Sequence, residues 1–248
     1  MSHDHRLHRP ELTGALARGD AAFDALVSEP PRMVPAGATL IPQGSRHDYV
    51  YKLLSGWVAR VRQLPDGRTQ YLMVFLPGDI FAVKSMFVVQ QPDAVVALSD
   101  VVVSRIDQQR LKAAFDADPA LATRCTWQIT EEERRLHNWV VSLGQGSAEE
   151  RIAYVLIEFS RRLAHRDAGG EGVQQYAMPL TQDQLGSVLG LTPVHVNRVL
   201  RRLREDEIVS VRNRTVSIHD LPALERLAHP LQDAPMPGEA GAVTEGVA

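Results

Sequence analysis

The stretch LGLTPVHVNRVLRRLRE, residues 189–205, combines helical periodicity with polar side chains suited to molecular recognition. At about 100° per residue, its apolar residues fall on one side of a helix, and Asn197, Arg198 and Arg201 fall on the other. Arginine can donate two hydrogen bonds to a guanine edge, and asparagine can form a matching pair with adenine, both through the major groove of DNA. The spacing therefore predicts a helix with one buried face and one face suited to reading bases.

The side chains expected to contact DNA form two groups. Those predicted to face base edges are Arg198, Asn197, Val194 and Pro193. Those predicted to contact the backbone, which positions a protein without reading sequence, are Thr181, Thr192, His195, Arg201, Arg202, Arg212 and Arg214. Between positions 197 and 215, six arginines face three acidic residues, a local net charge of +3 in a chain whose formal net charge is −3. Any affinity for nucleic acid must therefore be local.

Two short helices joined by a tight turn are expected to carry these side chains. Thr181 is a candidate N-cap, and Gln184 three residues later completes a capping box. Gly190 ends the first helix, because glycine tolerates the left-handed conformation found there. Thr192 caps the second helix and Pro193 takes its first position, where a missing N–H costs nothing. This arrangement is a helix-turn-helix.

The segment IVSVRNRTVSIHD, residues 208–220, predicts two short strands around a turn. Such a hairpin is a wing, and Arg212 and Arg214 at its tip would meet the DNA backbone. Arginine-rich helix faces are often only solvated, so the arginines alone do not decide between solvation and DNA binding. The caps, the turn and the wing together favour a DNA-binding winged helix-turn-helix over residues 146–230.

Residues 29–118 have a different sequence pattern, with short runs rich in Val, Tyr, Leu and Ile. Gly44, Gly56, Gly67 and Gly78 punctuate it at intervals of 12, 11 and 11 residues. Regular turn signals between short apolar runs are typical of an all-β sandwich or barrel. We therefore predict an α+β protein whose N-terminal domain is a jelly roll, that is, a double-stranded β-helix.

Residues 119–145 change to a helical period. Either this long helix packs on the core of the β domain, or its apolar stripe forms a dimer seam, as in a coiled-coil-like pair, and the spacing favours the dimer. The residues predicted to line the seam are Leu121, Cys125, Ile129, Leu136, Val140 and Leu143. The sequence GQGS at 144–147 breaks the pattern as an expected hinge, after which Ser147 and Glu150 form a capping box.

The two ends of the chain are polar or rich in small residues. Residues 1–28 are expected to form a tail and a short helix, and residues 231–248 a disordered tail. His3, His5 and His8 fall in the first tail, where an ordered metal site is not expected.

Composition limits the location of the protein. Hydrophobic residues make up 44% and charged residues 23% of the 248, values typical of a folded soluble protein. A single cysteine allows neither an intrachain disulfide nor a four-thiolate metal cluster and favours a reducing, cytoplasmic location. No run of about 18 apolar residues could span a bilayer, and the start lacks the apolar core of a signal peptide. We therefore expect no membrane partner.

The order of these features resembles the Crp/Fnr family of bacterial transcription regulators. The resemblance covers residues from about 31 to 227 and rests on the spaced glycines, LPGDIF at 76–81, and the pattern T..HVNRVL.RL at 192–203. It implies a sequence-specific transcription regulator that binds an inverted repeat in DNA as a homodimer, with recognition helices about 34 Å apart. It also implies that the β domain is an effector or sensor domain and that RNA polymerase is a partner.

The effector pocket that the resemblance implies lacks the usual ligands for cyclic AMP. The family's glutamate falls at Val83 and its Arg-Ser pair at Asp93 and Ala94, so a carboxylate would face the nucleotide phosphate. The Thr-Ser pair of the long helix falls at Leu136 and His137. The small-molecule effector is therefore unknown, and the candidate pocket residues are Val83, Lys84, Ser85, Asp93, Ala94, Leu136 and His137.

Neither a metal nor a cofactor is expected. Iron–sulfur members of the family need four cysteines, and haem-binding members need axial ligands, whereas the β domain carries only His47. Members that read the cyclic-AMP-type DNA site carry Arg and Glu where this chain has Pro193 and Val194. Of the base-reading residues of those members, this chain retains only the arginine at position 198. The half-site is therefore expected to differ at its outer bases.

Two other functions compete with this one. A metal-dependent oxygenase would need two inward-facing histidines and a carboxylate in the β domain, and no phosphate-binding glycine loop or nucleophile elbow occurs elsewhere. The chain is therefore not expected to be an enzyme. A protein-interaction module that uses the same fold without reading DNA stays open. Oxidation of Cys125 across a dimer seam is a further hypothesis, set against a small apolar residue simply packed there.

Overall fold

The computed structural model describes residues 9–164 and 174–231. The described chain consists, in order, of an N-terminal helix, a sandwich of two β-sheets, further helices and a small winged domain. The first helix, α1, spans Thr13–Leu26. The polar tail predicted at residues 1–8 and the tail predicted beyond Leu231 lie outside the described residues. Leu231 itself, which the sequence groups with the tail, is buried beside the hinge residue Gly146.

The β domain is a sandwich of two antiparallel four-stranded sheets. Its strands in the described chain are β1 (Arg32–Val34), β2 (Thr39–Ile41), β3 (Tyr49–Ser55), β4 (Val58–Gln63), β5 (Thr69–Phe75), β6 (Ile80–Phe81), β7 (Ala94–Ala97) and β8 (Val101–Asp107). One sheet has the order β1-β8-β3-β6 and the other β2-β7-β4-β5. Leu53, Phe75 and Val103 are among the side chains of the apolar core between them. This architecture confirms the predicted jelly roll.

The predicted glycine turns occur where the chain reverses between strands. Gly56, between β3 and β4, has φ +79°, and a Cβ placed on it would lie 2.3 Å from the carbonyl oxygen of Asp100. Both the left-handed backbone and this close approach require glycine. Gly67 takes the same conformation, with φ +86°, in the tight turn between β4 and β5.

Two helices, α2 (Gln108–Ala117) and α3 (Pro119–Gln145), connect the sandwich to the winged domain, whose first helix is α4 (Ala148–Ala164). Asp107 and Asp118 cap α2 and α3 by accepting hydrogen bonds from backbone N–H groups of the first turn. Ser147 and Glu150 form the predicted capping box at α4, and the Ser147 N–H donates to the Glu150 carboxylate at 2.7 Å. None of the described helices is long and apolar enough to cross a lipid bilayer.

Helix α1 is part of the folded core, although the sequence groups it with a tail. It packs on α3 so closely that a Cβ on Gly19 would lie 2.3 Å from the carbonyl oxygen of Ala120. Phe23 is completely buried. Asp20, also buried, accepts a hydrogen bond from Arg124 of α3 at 2.9 Å. This contact therefore combines apolar packing with a buried ion pair.

The winged domain continues from α4 with β9 (Gln175–Ala177), α5 (Gln182–Leu189), α6 (Pro193–Glu205), β10 (Val209–Arg212), β11 (Thr215–Ile218) and α7 (Leu221–Ala228). The order of its sheet is β10-β11-β9, so a third strand extends the predicted hairpin. Neither β9 nor α7 is predicted from the sequence. A three-residue strand with one buried side chain, Tyr176, leaves almost no periodic signal.

Candidate nucleic-acid interface

Helix α5 is positioned by the capping box predicted from the sequence. The Thr181 hydroxyl accepts from the backbone N–H of Gln184 at 3.1 Å, and the Gln184 side chain accepts from the Thr181 N–H at 2.9 Å. Gly190 ends the helix with φ +63°, and a Cβ on it would lie 2.9 Å from a methyl carbon of Leu143 on α3. The turn between α5 and α6 therefore rests against the long helix, and only glycine allows this.

Helix α6 buries one face and exposes the other, as its periodicity predicts. Val196, Val199 and Leu203 are buried in the winged domain. Val194, at the N-terminal tip of the other face, is 76% exposed. The four residues predicted to read bases are all exposed, namely Pro193, Val194, Asn197 and Arg198.

The polar residues at the start of α6 differ in their partners. Thr192 caps the helix by accepting from the backbone N–H of His195 at 3.3 Å. The Asn197 side-chain amide donates to the side chain of Gln182, at the start of α5, at 3.3 Å. Within the described chain, Arg198 has no hydrogen-bonding or ion-pairing partner. Its guanidinium is therefore available to a ligand.

Two arginines predicted to contact phosphates are paired within the protein. Arg201 lies 3.8 Å from Glu205, and Arg202 lies 3.4 Å from Glu149 on α4. Both arginine side chains are more than 60% exposed. Solvent-exposed ion pairs contribute at most about 1 kcal/mol, so a DNA phosphate can readily replace these carboxylates.

The predicted wing is formed, with arginines at its tip. Arg212 and Thr215 pair across the β10–β11 hairpin. Asn213 and Arg214 form its two-residue turn with φ 49° and 59°, the left-handed conformation that such tight hairpins require. Arg212 and Arg214 are both exposed.

Charged side chains fill the region of the β domain predicted to hold an effector. Asp93 is buried, and its carboxylate lies 2.7 Å from Lys84 Nζ and 2.7 Å from Arg62 Nη2. Burial alone would raise the pKa of Asp93, but these two cations outweigh it and hold the pKa below its ordinary value. Arg60, also on β4, pairs with Glu132 of α3 at 2.8 Å. The Arg60–Glu132 pair therefore joins the β domain to α3, while the contacts of Asp93 stay within the β domain.

The other predicted pocket residues do not converge on a binding site within the protomer. Val83 and Ala94 are buried in two separate apolar clusters. Ser85 donates its hydroxyl to a backbone carbonyl of β3 at 3.1 Å. Leu136 and His137 are exposed on α3. Within the protomer, these side chains therefore do not line one common pocket.

The sequence analysis did not identify Arg60, Arg62 and Glu132 as members of this cluster. A signal was available in β4, since two arginines two residues apart lie on one side of a regular strand. No local rule links them to Asp93 or to Glu132, which lies 72 residues from Arg60 in the chain.

The predicted dimer seam divides into a buried and an exposed part. Leu121 and Cys125 are buried within the protomer, in a cluster with side chains of α1 and the β domain. The prediction for these two residues is therefore corrected, because the protomer itself covers them. The apolar residues that remain exposed on α3 are Ile129, Leu136, Val140, Val141 and Leu143.

Cys125 lacks the surroundings of a reactive thiol, and His47 packs against an aromatic ring. Burial raises the pKa of the Cys125 thiol to about 11, which disfavours the reactive thiolate at neutral pH. His47 stacks on Tyr51 with ring centroids 5.4 Å apart, and burial lowers its pKa. The described part of the chain contains no group of three or more side chains that could hold a metal ion.

Sequence profiles of two protein families match the chain. The profile described as cyclic nucleotide-binding domain matches residues 31–118, and the profile described as Crp-like helix-turn-helix domain matches residues 150–227. The first range covers the β sandwich, and the second covers the interface built around α5 and α6. The chain belongs to the Crp/Fnr family of transcription regulators.

Individual Crp/Fnr relatives are similar over most of their length. "Transcriptional regulatory protein btr" of Bordetella pertussis is 28% identical over 83% of this chain and 83% of its own. "Transcriptional activator protein FnrA" of Stutzerimonas stutzeri is 27% identical over 86% of both chains. The solved structure of FixK2 from Bradyrhizobium japonicum matches with a TM-score of 0.72 and 26% identity, over 83% of this chain and 98% of that one.

The charged groups around Asp93 do not fit a cyclic nucleotide bound in the usual mode. A cyclic phosphate at Asp93 would meet a buried carboxylate, which repels it. The cations that could compensate are engaged already, Lys84 and Arg62 with Asp93, and Arg60 with Glu132.

Proposed function

We propose that this Crp/Fnr regulator recognises an inverted repeat in DNA as a homodimer and needs no cyclic nucleotide to do so. The observation that carries the proposal is the exposed polar face of α6. Val196, Val199 and Leu203 anchor its opposite face in the winged domain. A helix held in this way can enter the major groove in one orientation.

The roles of the side chains follow from their chemistry and exposure. Arg198 reads a guanine, Asn197 an adenine, and Val194 a thymine methyl group, while Pro193 lies beside them at the tip of the helix. The side chains that contact phosphates are Thr181, Thr192, His195, Arg201, Arg202, Arg212 and Arg214. This division predicts which substitutions change sequence preference and which change overall affinity.

The exposed stripe of α3 supports the dimer. Val140 is 69% exposed, and Ile129, Leu136 and Leu143 are each about 40% exposed. Apolar side chains repeated along one helix in this way mark an interaction surface, and a second copy of α3 is the partner that buries them symmetrically. The same proposal includes a cytoplasmic location, contact with RNA polymerase, and the absence of enzymatic activity.

The ion pairs around Asp93 support a signal other than cyclic AMP. Breaking a buried ion pair leaves an unpaired buried charge, so an anionic ligand would have to displace the carboxylate at a substantial cost. We assign no cofactor and no effector to the candidate residues Val83, Lys84, Ser85, Asp93, Ala94, Leu136 and His137.

Selection from a pool of random DNA duplexes tests the proposal. Purified protein without added ligand is expected to enrich an inverted repeat, and added cyclic AMP is expected to leave the enriched sequence unchanged. The Arg198→Ala variant, selected in parallel, is expected to lose preference at one position of each half-site. Failure of the wild-type protein to enrich any sequence, with and without cell extract, would refute DNA recognition and favour a protein-interaction module.

A further inference from the structure

The winged domain is docked on the β sandwich through a shared apolar core. Trp57 of the β domain packs edge-on against Phe159 of α4, with ring centroids 4.9 Å apart. Ala59, Val74 and Leu76 of the β domain belong to the same buried cluster as the core of the winged domain. The winged domain is therefore not a separate body on a free hinge.

A buried ion cluster at this interface joins three parts of the chain. Asp79, in the turn before β6, accepts hydrogen bonds from Arg162 of α4 and from a backbone N–H of its own turn. Arg162 also donates to a backbone carbonyl of β5 at 3.1 Å and to Glu158 at 3.3 Å. Arg135 of α3 lies 3.6 Å from Asp79. The carboxylate of Asp79 is thus the shared partner of the long helix and the winged domain.

Because the charged groups of this cluster are buried, they favour one relative placement of the β domain, α3 and α4. Each of its charged side chains is at most 13% exposed. Burial alone would raise the pKa of Asp79, but Arg162 and Arg135 outweigh it and hold the pKa below its ordinary value. A small change in the direction of α4 that separated Arg162 from Asp79 without exposing them to water would leave a buried carboxylate short of a partner, which is strongly unfavourable.

A second set of bonds fixes the helix-turn-helix near the hinge. Arg151 donates to three backbone carbonyls, those of Leu143 at the end of α3, Gly146 in the hinge, and Leu189 at the end of α5, at 2.8–3.1 Å. Gln70 of β5 donates to another carbonyl of α5 at 2.8 Å. The first helix of the motif is therefore held both by α3 and by the sandwich.

Two fixed points on one helix determine its direction. Arg151 and Arg162 are eleven residues apart on α4, about 16 Å at 1.5 Å per residue. One attachment would leave α4 free to pivot about the hinge, whereas the second, at Asp79, removes that freedom. Docking leaves the base-reading residues of α6 exposed, so the docked form can bind DNA.

We propose that Asp79, Arg162 and Arg135 are positioning residues that set the separation of the two recognition helices in the dimer. This inference rests on the proposed function, the reading of an inverted repeat by a dimer. In a dimer joined along α3, the direction of each α4 decides where its α6 lies. The spacing between half-sites is a direct consequence of that geometry. Docking on the β sandwich therefore determines which half-site spacing the dimer accepts.

Spacer selectivity tests the proposal. Affinity is measured for the selected inverted repeat and for duplexes with one and two base pairs inserted between the half-sites, each adding about 3.4 Å. We expect the wild type to reject the longer spacers by about tenfold or more, since a 1.4 kcal/mol difference is a factor of ten. Arg162→Gln is expected to reduce this discrimination to about threefold or less, with base preference within each half-site unchanged.

Arg161→Gln is the matched control. Arg161 precedes Arg162 on α4 but pairs at the surface with Glu225, and both side chains are 41% exposed. This variant is expected to keep the wild-type spacer selectivity. Arg162→Lys, which keeps the positive charge, is expected to keep most of the wild-type spacer selectivity. Gln70→Ala changes no charge and is expected to lower selectivity in the same direction even where Arg162→Gln fails to fold.

The outcomes separate this proposal from the one on which it rests. Circular dichroism shows whether the Arg162→Gln and Gln70→Ala variants are folded. Undiminished spacer selectivity in the folded variants would overturn the proposal that the docked cluster sets the half-site spacing. Tighter binding by these variants would also overturn it, because the docked form would then be an inhibited one. Absence of any inverted-repeat binding by the wild type would instead overturn the proposed function itself.

Discussion

Arg198 and Arg201 lie one helical turn apart on α6, yet they are held differently. Arg198 has no partner within the described chain, whereas Arg201 lies 3.8 Å from Glu205. A guanidinium without a carboxylate partner can present both donors to a base without first breaking an ion pair. Arg198 is therefore the residue we expect to determine sequence preference.

Replacing Arg198 by alanine is expected to remove discrimination at one base pair per half-site, a loss of about 1–3 kcal/mol. The measurement is competition between the selected duplex and duplexes changed at that pair. Arg201→Ala is the control, and we expect it to weaken all duplexes to a similar extent. Equal losses on specific and random DNA for Arg198→Ala would contradict the assigned role.

The buried Cys125 is expected to be chemically inert in the folded protein. Because burial raises its thiol pKa to about 11, little thiolate exists at pH 7.5. A disulfide reagent such as 5,5′-dithiobis(2-nitrobenzoate) should react slowly with native protein and rapidly after denaturation in guanidinium. Rapid labelling of the native form, or loss of DNA binding in peroxide that Cys125→Ala prevents, would restore the redox hypothesis.

The depressed pKa values of Asp79 and Asp93 give the stability a defined pH dependence. An unfolded aspartate titrates near about 3.9, so each folded carboxylate contributes stability that is present above that value and is lost as pH falls through the lower folded pKa. Urea unfolding should therefore show a falling free energy of unfolding below about pH 4. The Asp93→Asn variant should be less stable than wild type at pH 7, and its free energy of unfolding should fall less on acidification.

At the scale of elements, α3 serves two partners along its length. Its first half lies under α1, where Leu121 and Cys125 are buried, and its second half carries the exposed apolar stripe. The periodicity of the sequence shows that a face is apolar, but it does not show what covers that face. Two of the six predicted seam residues were assigned wrongly for this reason.

Charge placed on the exposed half of α3 is expected to dissociate the dimer. Val140→Glu would bury two carboxylates at the seam of the proposed dimer, which is unfavourable. Sedimentation velocity should then show a monomer at concentrations where the wild type is a dimer. Val89→Glu is the matched control, since Val89 is 72% exposed on the β domain and Val140 is 69% exposed. A dimeric Val140→Glu variant would place the seam elsewhere.

Local rules predicted the helix-turn-helix better than the effector region. Thr181, Gln184 and Gly190 act on neighbours within a few residues, so the capping box and the glycine turn could be read from the sequence. The contacts of Asp93 join residues up to 31 positions apart, and Asp79 meets Arg162 across 83 positions. Such contacts depend on how the elements pack, and no spacing rule specifies them.

At the scale of the whole molecule, a chain of formal net charge −3 is proposed to bind a polyanion. Attraction is therefore confined to the arginines of α6 and the wing, while the rest of the molecule is repelled at low ionic strength. This distribution favours orientations in which the winged domain approaches DNA first.

Salt dependence measures how many of these arginines contact phosphates. Arg212→Ala is expected to lower affinity for specific and random duplexes alike and to reduce the slope of log affinity against log salt concentration by about 1. Fluorescence anisotropy at several salt concentrations provides the slope. Arg161→Ala, remote from the interface, should leave it unchanged, and an unaltered slope in Arg212→Ala would remove the wing from the contact surface.

The packing of α1 also shows how much of this protein can be separated from the rest. The family profile begins at residue 31, beyond the end of α1. A fragment trimmed to that boundary would lack Asp20 and Asp24, the acidic partners of the buried cations Lys52 and Arg124. We therefore expect such a fragment to be less stable than a chain that keeps α1, because two buried cations would lose their partners.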